Sequence, residues 1–233
     1  MSVSVAVLAS GGGSNFQALL DHQSDERPGR IDLLITDRPG VGALDRAERA
    51  GVATRIIPVK GRLLDGVGLE TLEVLEENQI QVILLAGYLR LIPPVVVQAF
   101  PKRILNIHPA LLPAFGGKGM WGHHVHKAVL DSGASFSGPT IHFVDEEYDT
   151  GAILAQWPVP VLAGDTPDTL AARVLKAEHA LYPLAADHLC RAVAAGRPVT
   201  RLSLPGEAIM ITDTFSPDAV SRQIDAAFRA ARE

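Results

Sequence analysis

The chain has 233 residues, of which 47% are hydrophobic, enough for one sizeable core or one domain with an appendage. Its formal net charge of −5 argues against a nucleic-acid partner, which needs a basic surface, while leaving room for a locally positive site that takes a small anion. A single cysteine, Cys190, excludes an intramolecular disulfide and fits a reducing, cytoplasmic compartment; no apolar run approaches the roughly 18 residues of a membrane span.

Strand and helix signals alternate from the start. Residues 1–9 are apolar but too short, and too poor in basic residues, for a signal peptide; 3–8 (VSVAVL) read instead as a strand covered on both faces. A turn-forming run, Ser10-Gly11-Gly12-Gly13-Ser14-Asn15, leads into a helix over 16–20. Strands at 31–35, 52–58, 82–86 and 104–108 alternate with helices at 43–50, 69–77 and 95–100, closed by Gly51 and Pro101 where those are present. This order predicts an α/β fold: a doubly wound, mainly parallel sheet, Rossmann-like, with helices on both faces. The pattern changes after residue 110. A Gly- and Pro-rich loop (111–120) precedes a short helix over 123–130, then strands at 138–145 and 152–162. Thr166-Pro167-Asp168 starts a helix that Pro183 should kink or split. Cys190 lies in this apolar helical stretch with no activating partner and reads as a small buried hydrophobe. Ser216-Pro217-Asp218 caps a last helix. The expected organisation is a main domain over 1–203 and a tail with a helix over 204–233, in a monomer or a homodimer.

Three segments carry chemistry. A Gly-rich turn between a first strand and a first helix presents backbone N–H groups and the positive end of a helix, which suits a phosphate. Gly13, Ser14 and Asn15 are best placed for it. The dinucleotide fingerprint fails because Phe16 stands where its third Gly should be, and no Gly-Lys-Ser/Thr follows. A tight turn without a ligand is the alternative. In Ile104-Leu105-Asn106-Ile107-His108-Pro109, strand alternation puts Asn106 and His108 on one face, at the carboxyl end of a central strand. An amide beside an imidazole can stabilise an oxyanion; a hydrogen-bonded core pair is the alternative. The acidic loop Asp145-Glu146-Glu147-Tyr148-Asp149-Thr150-Gly151 reads either as a turn or as the source of a carboxylate that raises the His108 pKa and keeps it protonated. His123, His124 and His126 match no standard zinc spacing, so no metal is expected.

The stretches LASGGGSNFQALL, VILLAGYLRLIP, ILNIHPALLPAFGG, GPTIHFVDEEYDTGAILAQWPVPV and AARVLKAEHALYP resemble, in order and up to about residue 200, the phosphoribosylglycinamide formyltransferase family of purine biosynthesis. The resemblance implies transfer of the formyl group of 10-formyltetrahydrofolate to the amine of glycinamide ribonucleotide, with no metal, nucleic acid or membrane involved. It implies Asn106, His108 and Asp149 as the catalytic trio and Gly13, Ser14 and Asn15 as the phosphate loop. Leu175, Lys176, Ala177 and Glu178 correspond to the helix that contacts the ribonucleotide. Leu89, Arg90, Leu91, Ile92, Asn106, Asp145, Glu146, Glu147, Tyr148 and Asp149 correspond to folate-binding positions, with Arg62 and His142 as further candidates. Ala110 stands where relatives often have Ser, and the loop 116–121 is longer than in some members. Two related activities share the trio: formyltetrahydrofolate hydrolysis and methionyl-tRNA formylation. A non-catalytic nucleotide-binding module would keep the glycine loop without needing the trio.

Overall fold

The computed structural model describes residues 2–202 together with Arg222 and Ile224. In chain order the elements are β1 (Val3–Ala9), α1 (Ser14–His22), β2 (Gly29–Thr36), α2 (Gly42–Ala50), β3 (Ala53–Ile56), α3 (Leu64–Glu77), β4 (Val82–Leu85), α4 (Pro94–Ala99), β5 (Ile104–His108), α5 (His123–Asp131), β6 (Phe136–Ser137), β7 (Thr140–Phe143), β8 (Ile153–Gln156), β9 (Val159–Pro160) and α6 (Pro167–Ala194). The main sheet runs β3-β2-β1-β4-β5-β7-β8. Its first five strands are parallel, and β7 and β8 are antiparallel.

The sheet separates two apolar layers. Val5, Val7, Leu84, Leu105 and Ile107 face α1, α2, α5 and α6. Ala6, Leu8, Ile83, Leu85 and Ile104 face α3 and α4. Burial on both faces is why β1 and β4 read as unbroken apolar runs. The strand order reverses between β1 and β4, and a crevice at the carboxyl ends of these strands is where such sheets take ligands. Behind that crevice, Tyr182 of α6 directs its hydroxyl at the carbonyls of Leu85 and Leu105, 3.0 and 3.1 Å away.

Three expectations are corrected. The strand expected over 52–58 keeps only Ala53–Ile56, an exposed edge strand. The two strands expected over 138–145 and 152–162 are broken: β7 and β8 stay in the main sheet, while β6 and β9 form a separate two-stranded ribbon. The break falls at Gly138-Pro139 and Trp157-Pro158, where proline supplies no N–H to a ladder. Gly138 adopts φ 137°, and a Cβ there would lie 1.9 Å from the Trp157 carbonyl oxygen, so the two backbones touch where side chains were expected. Pro183 does not split α6, which runs unbroken for 28 residues from a Thr166–Thr169 capping box. Leu181, Tyr182, Leu184 and Ala185 around the proline are buried, and that packing outweighs one lost helical bond. The expected tail helix, and the division near residue 203, lie outside the described residues apart from Arg222 and the buried Ile224.

Candidate active site

A cavity of about 600 Å³ opens at the carboxyl ends of β1, β4 and β5, within the size range of small-molecule sites. α1 and α6 supply Ser14, Asn15, Leu175 and Glu178 to its wall. The segment after β4 supplies Tyr88, Leu89, Arg90, Leu91 and Ile92; β5 supplies Asn106 and His108; β7 and the loop after it supply His142, Glu147, Tyr148 and Asp149.

The glycine loop is held by α2. Gly13 caps α1 with φ 72°, and a Cβ there would lie 2.9 Å from that of Ala43, so only glycine fits. Arg46 donates to the Gly12 carbonyl at 2.8 Å. The first turn of α1 has no side-chain cap and no acidic residue, which leaves its N–H groups and positive end for an anion. Gly13 shapes this end without lining the cavity; Ser14 and Asn15 line it. Asn15 Nδ2 donates to Glu178 Oε2 at 2.6 Å. Burial pushes the Glu178 carboxyl up to about 7, against the opposing pull of that hydrogen bond. Asn15 Oδ1 is buried and has no partner among the described residues.

Asn106, His108 and Asp149 come together. Asn106 Nδ2 lies 3.0 Å from His142 Nε2 and 3.5 Å from Asp149 Oδ1. His142 Nδ1 is 2.8 Å from the Phe143 carbonyl, and its Nε2 lies 3.0 Å from Asn106 Nδ2 and 3.5 Å from Asp149 Oδ1. His108 Nε2 is 2.8 Å from the Phe115 carbonyl and must donate to it. Its other nitrogen, Nδ1, faces Asp149 Oδ2 at 3.6 Å. Asp149 Oδ2 also accepts the Gly117 N–H at 2.9 Å. Phe115 and Asp149 both have left-handed backbones, φ 57° and 60°, an uncommon conformation for non-glycine residues that costs about 1 kcal/mol or more each.

The expectation that Asp149 keeps His108 protonated is corrected. Burial is the largest influence on His108 and lowers its pKa; Asp149 and the Phe115 carbonyl raise it but do not win, and His142 adds to the lowering. Asp149 is held below the usual carboxylate range: burial raises its pKa, but His142, His108 and the Gly117 N–H together outweigh that. Burial thus works against a charge on His108, and Asp149 offsets that only in part.

Several expected residues are not brought to the cavity. Arg62 bonds Glu70 at 2.6 Å and the Pro58 carbonyl at 3.1 Å, and does not line it. Asp145 is spent inside its own turn, on the Glu147 N–H and the Thr150 hydroxyl, and Glu146 accepts from Gln98. Lys176 and Ala177 fall off the lining face of α6, with Ala177 buried in the core. Conversely, Tyr88, Met120, Trp121, His126 and Val144 line the cavity without having been singled out as binding residues. Helical spacing could have found His126, one turn after Gly122; the loop residues Met120 and Trp121 carry no such signal. Burial pushes the His126 pKa down to about 4, with His123 and His108 adding to the effect. Among the described residues no cluster of three His, Cys, Asp or Glu side chains is arranged to hold a metal.

Residues 3–186 match the formyl transferase family. The chain is 53% identical over 189 residues to the chloroplastic phosphoribosylglycinamide formyltransferase of Arabidopsis thaliana, covering 80% of this chain. It spans 65% of that plant protein, just under two thirds of its length. Against the phosphoribosylglycinamide formyltransferase of Escherichia coli it is 35% identical, covering 78% of this chain and 84% of that protein. The crystal structure of the Brucella melitensis phosphoribosylglycinamide formyltransferase is 43% identical, with a TM-score of 0.74 over 83% of this chain and 97% of the other.

Proposed function

Because this chain belongs to the formyl transferase family, and within it to the phosphoribosylglycinamide formyltransferases, we propose that it transfers the formyl group of 10-formyltetrahydrofolate to the amine of 5'-phosphoribosylglycinamide in purine biosynthesis. One observation carries this reading. The cavity that holds Asn106, His108 and Asp149 is also lined by Ser14 and Asn15 at the amino end of α1 and by Glu178.

In the proposed reaction the ribonucleotide phosphate rests on Gly13, Ser14 and Asn15, and Leu175 and Glu178 line its path. The folate lies along Leu89, Arg90, Leu91 and Ile92, with His142, Glu147 and Tyr148 on the other side. The amine nitrogen attacks the formyl carbon, and the carbonyl oxygen becomes an oxyanion. Asn106 Nδ2 has a second hydrogen whose nearest acceptor is Asp149 at 3.5 Å, a long bond readily exchanged for the oxyanion. His108 Nε2 is committed to Phe115, so the nitrogen left for chemistry is Nδ1, beside Asp149. As the attacking amine becomes cationic it loses a proton to His108 Nδ1, where Asp149 supports the charge beside the oxyanion before the proton moves on. The carbon–nitrogen bond to folate then breaks, and the proton lost by the attacking amine ends on the departing folate nitrogen.

We place the reaction in the cytoplasm, in a catalytic unit over residues 1–203 with 204–233 as an appendage, working as a monomer or homodimer. The placement rests on the lone free cysteine; no helix among the described residues is long and apolar enough to cross a membrane. The test is the absorbance change on release of tetrahydrofolate, with and without the ribonucleotide. Release that depends on the ribonucleotide supports the reading. Release without it indicates hydrolysis, and none under either condition removes the enzymatic assignment.

A further inference from the structure

Asp37 follows the last residue of β2 and does not line the cavity. Its side chain is only 1% exposed, yet it holds two arginines that are partly in solvent. Oδ2 accepts from Arg90 Nε at 2.7 Å and from Arg38 Nη2 at 2.9 Å, and Oδ1 accepts from Arg38 Nε at 3.1 Å. Burial alone would raise the Asp37 pKa; hydrogen bonds from Arg38, Arg90 and Ser10 outweigh it and hold the carboxyl below its usual range. Ser10, the residue immediately before the glycine loop, is buried as well. Its hydroxyl oxygen accepts the Leu89 N–H at 3.0 Å, and its own N–H donates to the Gly87 carbonyl at 3.1 Å.

These contacts join the ends of three strands. The glycine loop leaves β1 through Ser10, Asp37 directly follows β2, and the 87–92 segment that leaves β4 bonds to both. Of the five side chains that segment places along the cavity, only Arg90 is charged. Released from Asp37, its guanidinium would be free to turn into the cavity, loosening the segment whose Leu89 amide is bound by Ser10. A carboxylate that is buried, ionised and saturated by two guanidinium groups fixes geometry rather than reacting.

We propose that Asp37 is a positioning residue that sets the 88–92 wall against the glycine loop, and so determines how the folate is seated relative to the phosphate end of the other substrate. The folate half of this statement rests on the function proposed above. The test uses Asp37→Asn, which keeps the shape and removes the charge. Amide hydrogen exchange over 86–92 should accelerate about tenfold, with the rest of the sheet unchanged. In steady-state assays KM for 10-formyltetrahydrofolate should rise roughly tenfold, with KM for the ribonucleotide within about twofold of the parent. Arg90→Lys should shift the same KM in the same direction, and the double variant should add little to either single change. Unchanged exchange at 86–92 overturns the proposal. So does faster exchange throughout the sheet, or a rise in both KM values together, since a merely structural residue would give those. If the parent protein transfers no formyl group, the proposed function fails, while the exchange measurement still decides whether Asp37 holds the wall.

Discussion

At the scale of single residues, the site depends on which charges burial permits. Strand alternation made Asn106 and His108 neighbours in the sequence itself, and their shared face is what the structure has. The downward pull on the His108 pKa was not legible, because it depends on burial, which outweighs the Phe115 carbonyl seven residues away in a loop without periodicity. The separation of Asp149 from His108, 3.6 Å, was equally out of reach, since it depends on how the β7–β8 hairpin folds back. Under the proposed mechanism, His108→Ala and Asp149→Ala should each lower kcat by about 10²- to 10³-fold while leaving ribonucleotide affinity nearly intact; steady-state kinetics with a separate binding measurement decides this. Glu178 supplies a prediction about stability. Burial lifts its carboxyl to about 7 in the folded protein, from an ordinary 4.5. The folded state therefore binds this proton more tightly, and the associated stability is complete below about pH 4.5 and lost as pH rises through about 7. Glu178→Gln keeps a neutral partner for Asn15 and should flatten that decline. Its advantage over the parent above pH 7 should be on the order of a few kcal/mol, read from denaturant melts across the pH range.

At the scale of elements, the first half of the chain was legible because each buried strand is a short apolar run and each helix has its own stop, such as Gly51. The second half was not, because Gly138, Pro139 and Pro158 interrupt runs that otherwise alternate like long strands. Glycines make this testable. A Cβ on Gly151 would lie 1.8 Å from the Phe143 carbonyl oxygen, where the hairpin carrying Asp149 closes. Gly151→Ala should cost about 2–4 kcal/mol and lower turnover with it. Gly66, inside α3, has nothing within 4 Å of a Cβ. Gly66→Ala should therefore stabilise the protein by roughly 0.5–1 kcal/mol. Thermal melts of the two variants should move in opposite directions.

At the scale of the whole molecule, one cavity serves both proposed substrates, so the amine can attack the formyl carbon directly without a carrier group on the protein. The lone cysteine is a buried residue of α6, its thiol pushed up to about 12 chiefly by burial, and it does not line the cavity. The reaction should therefore pass through a ternary complex, seen as intersecting double-reciprocal lines; parallel lines would indicate a formyl-enzyme intermediate and overturn direct attack. The same helix that buries Cys190 also sets the scale of the site. Glu178 and Tyr182 stand four residues apart on α6, one on the cavity wall and the other under the carbonyls of Leu85 and Leu105. A helix turns about 100° per residue, so inserting or deleting one residue between them would swing one anchor off its target while the other stayed in place. Length changes in this interval are thus forbidden in a way that substitutions are not, and α6 acts as a ruler whose two marks cannot drift apart as the sequence evolves.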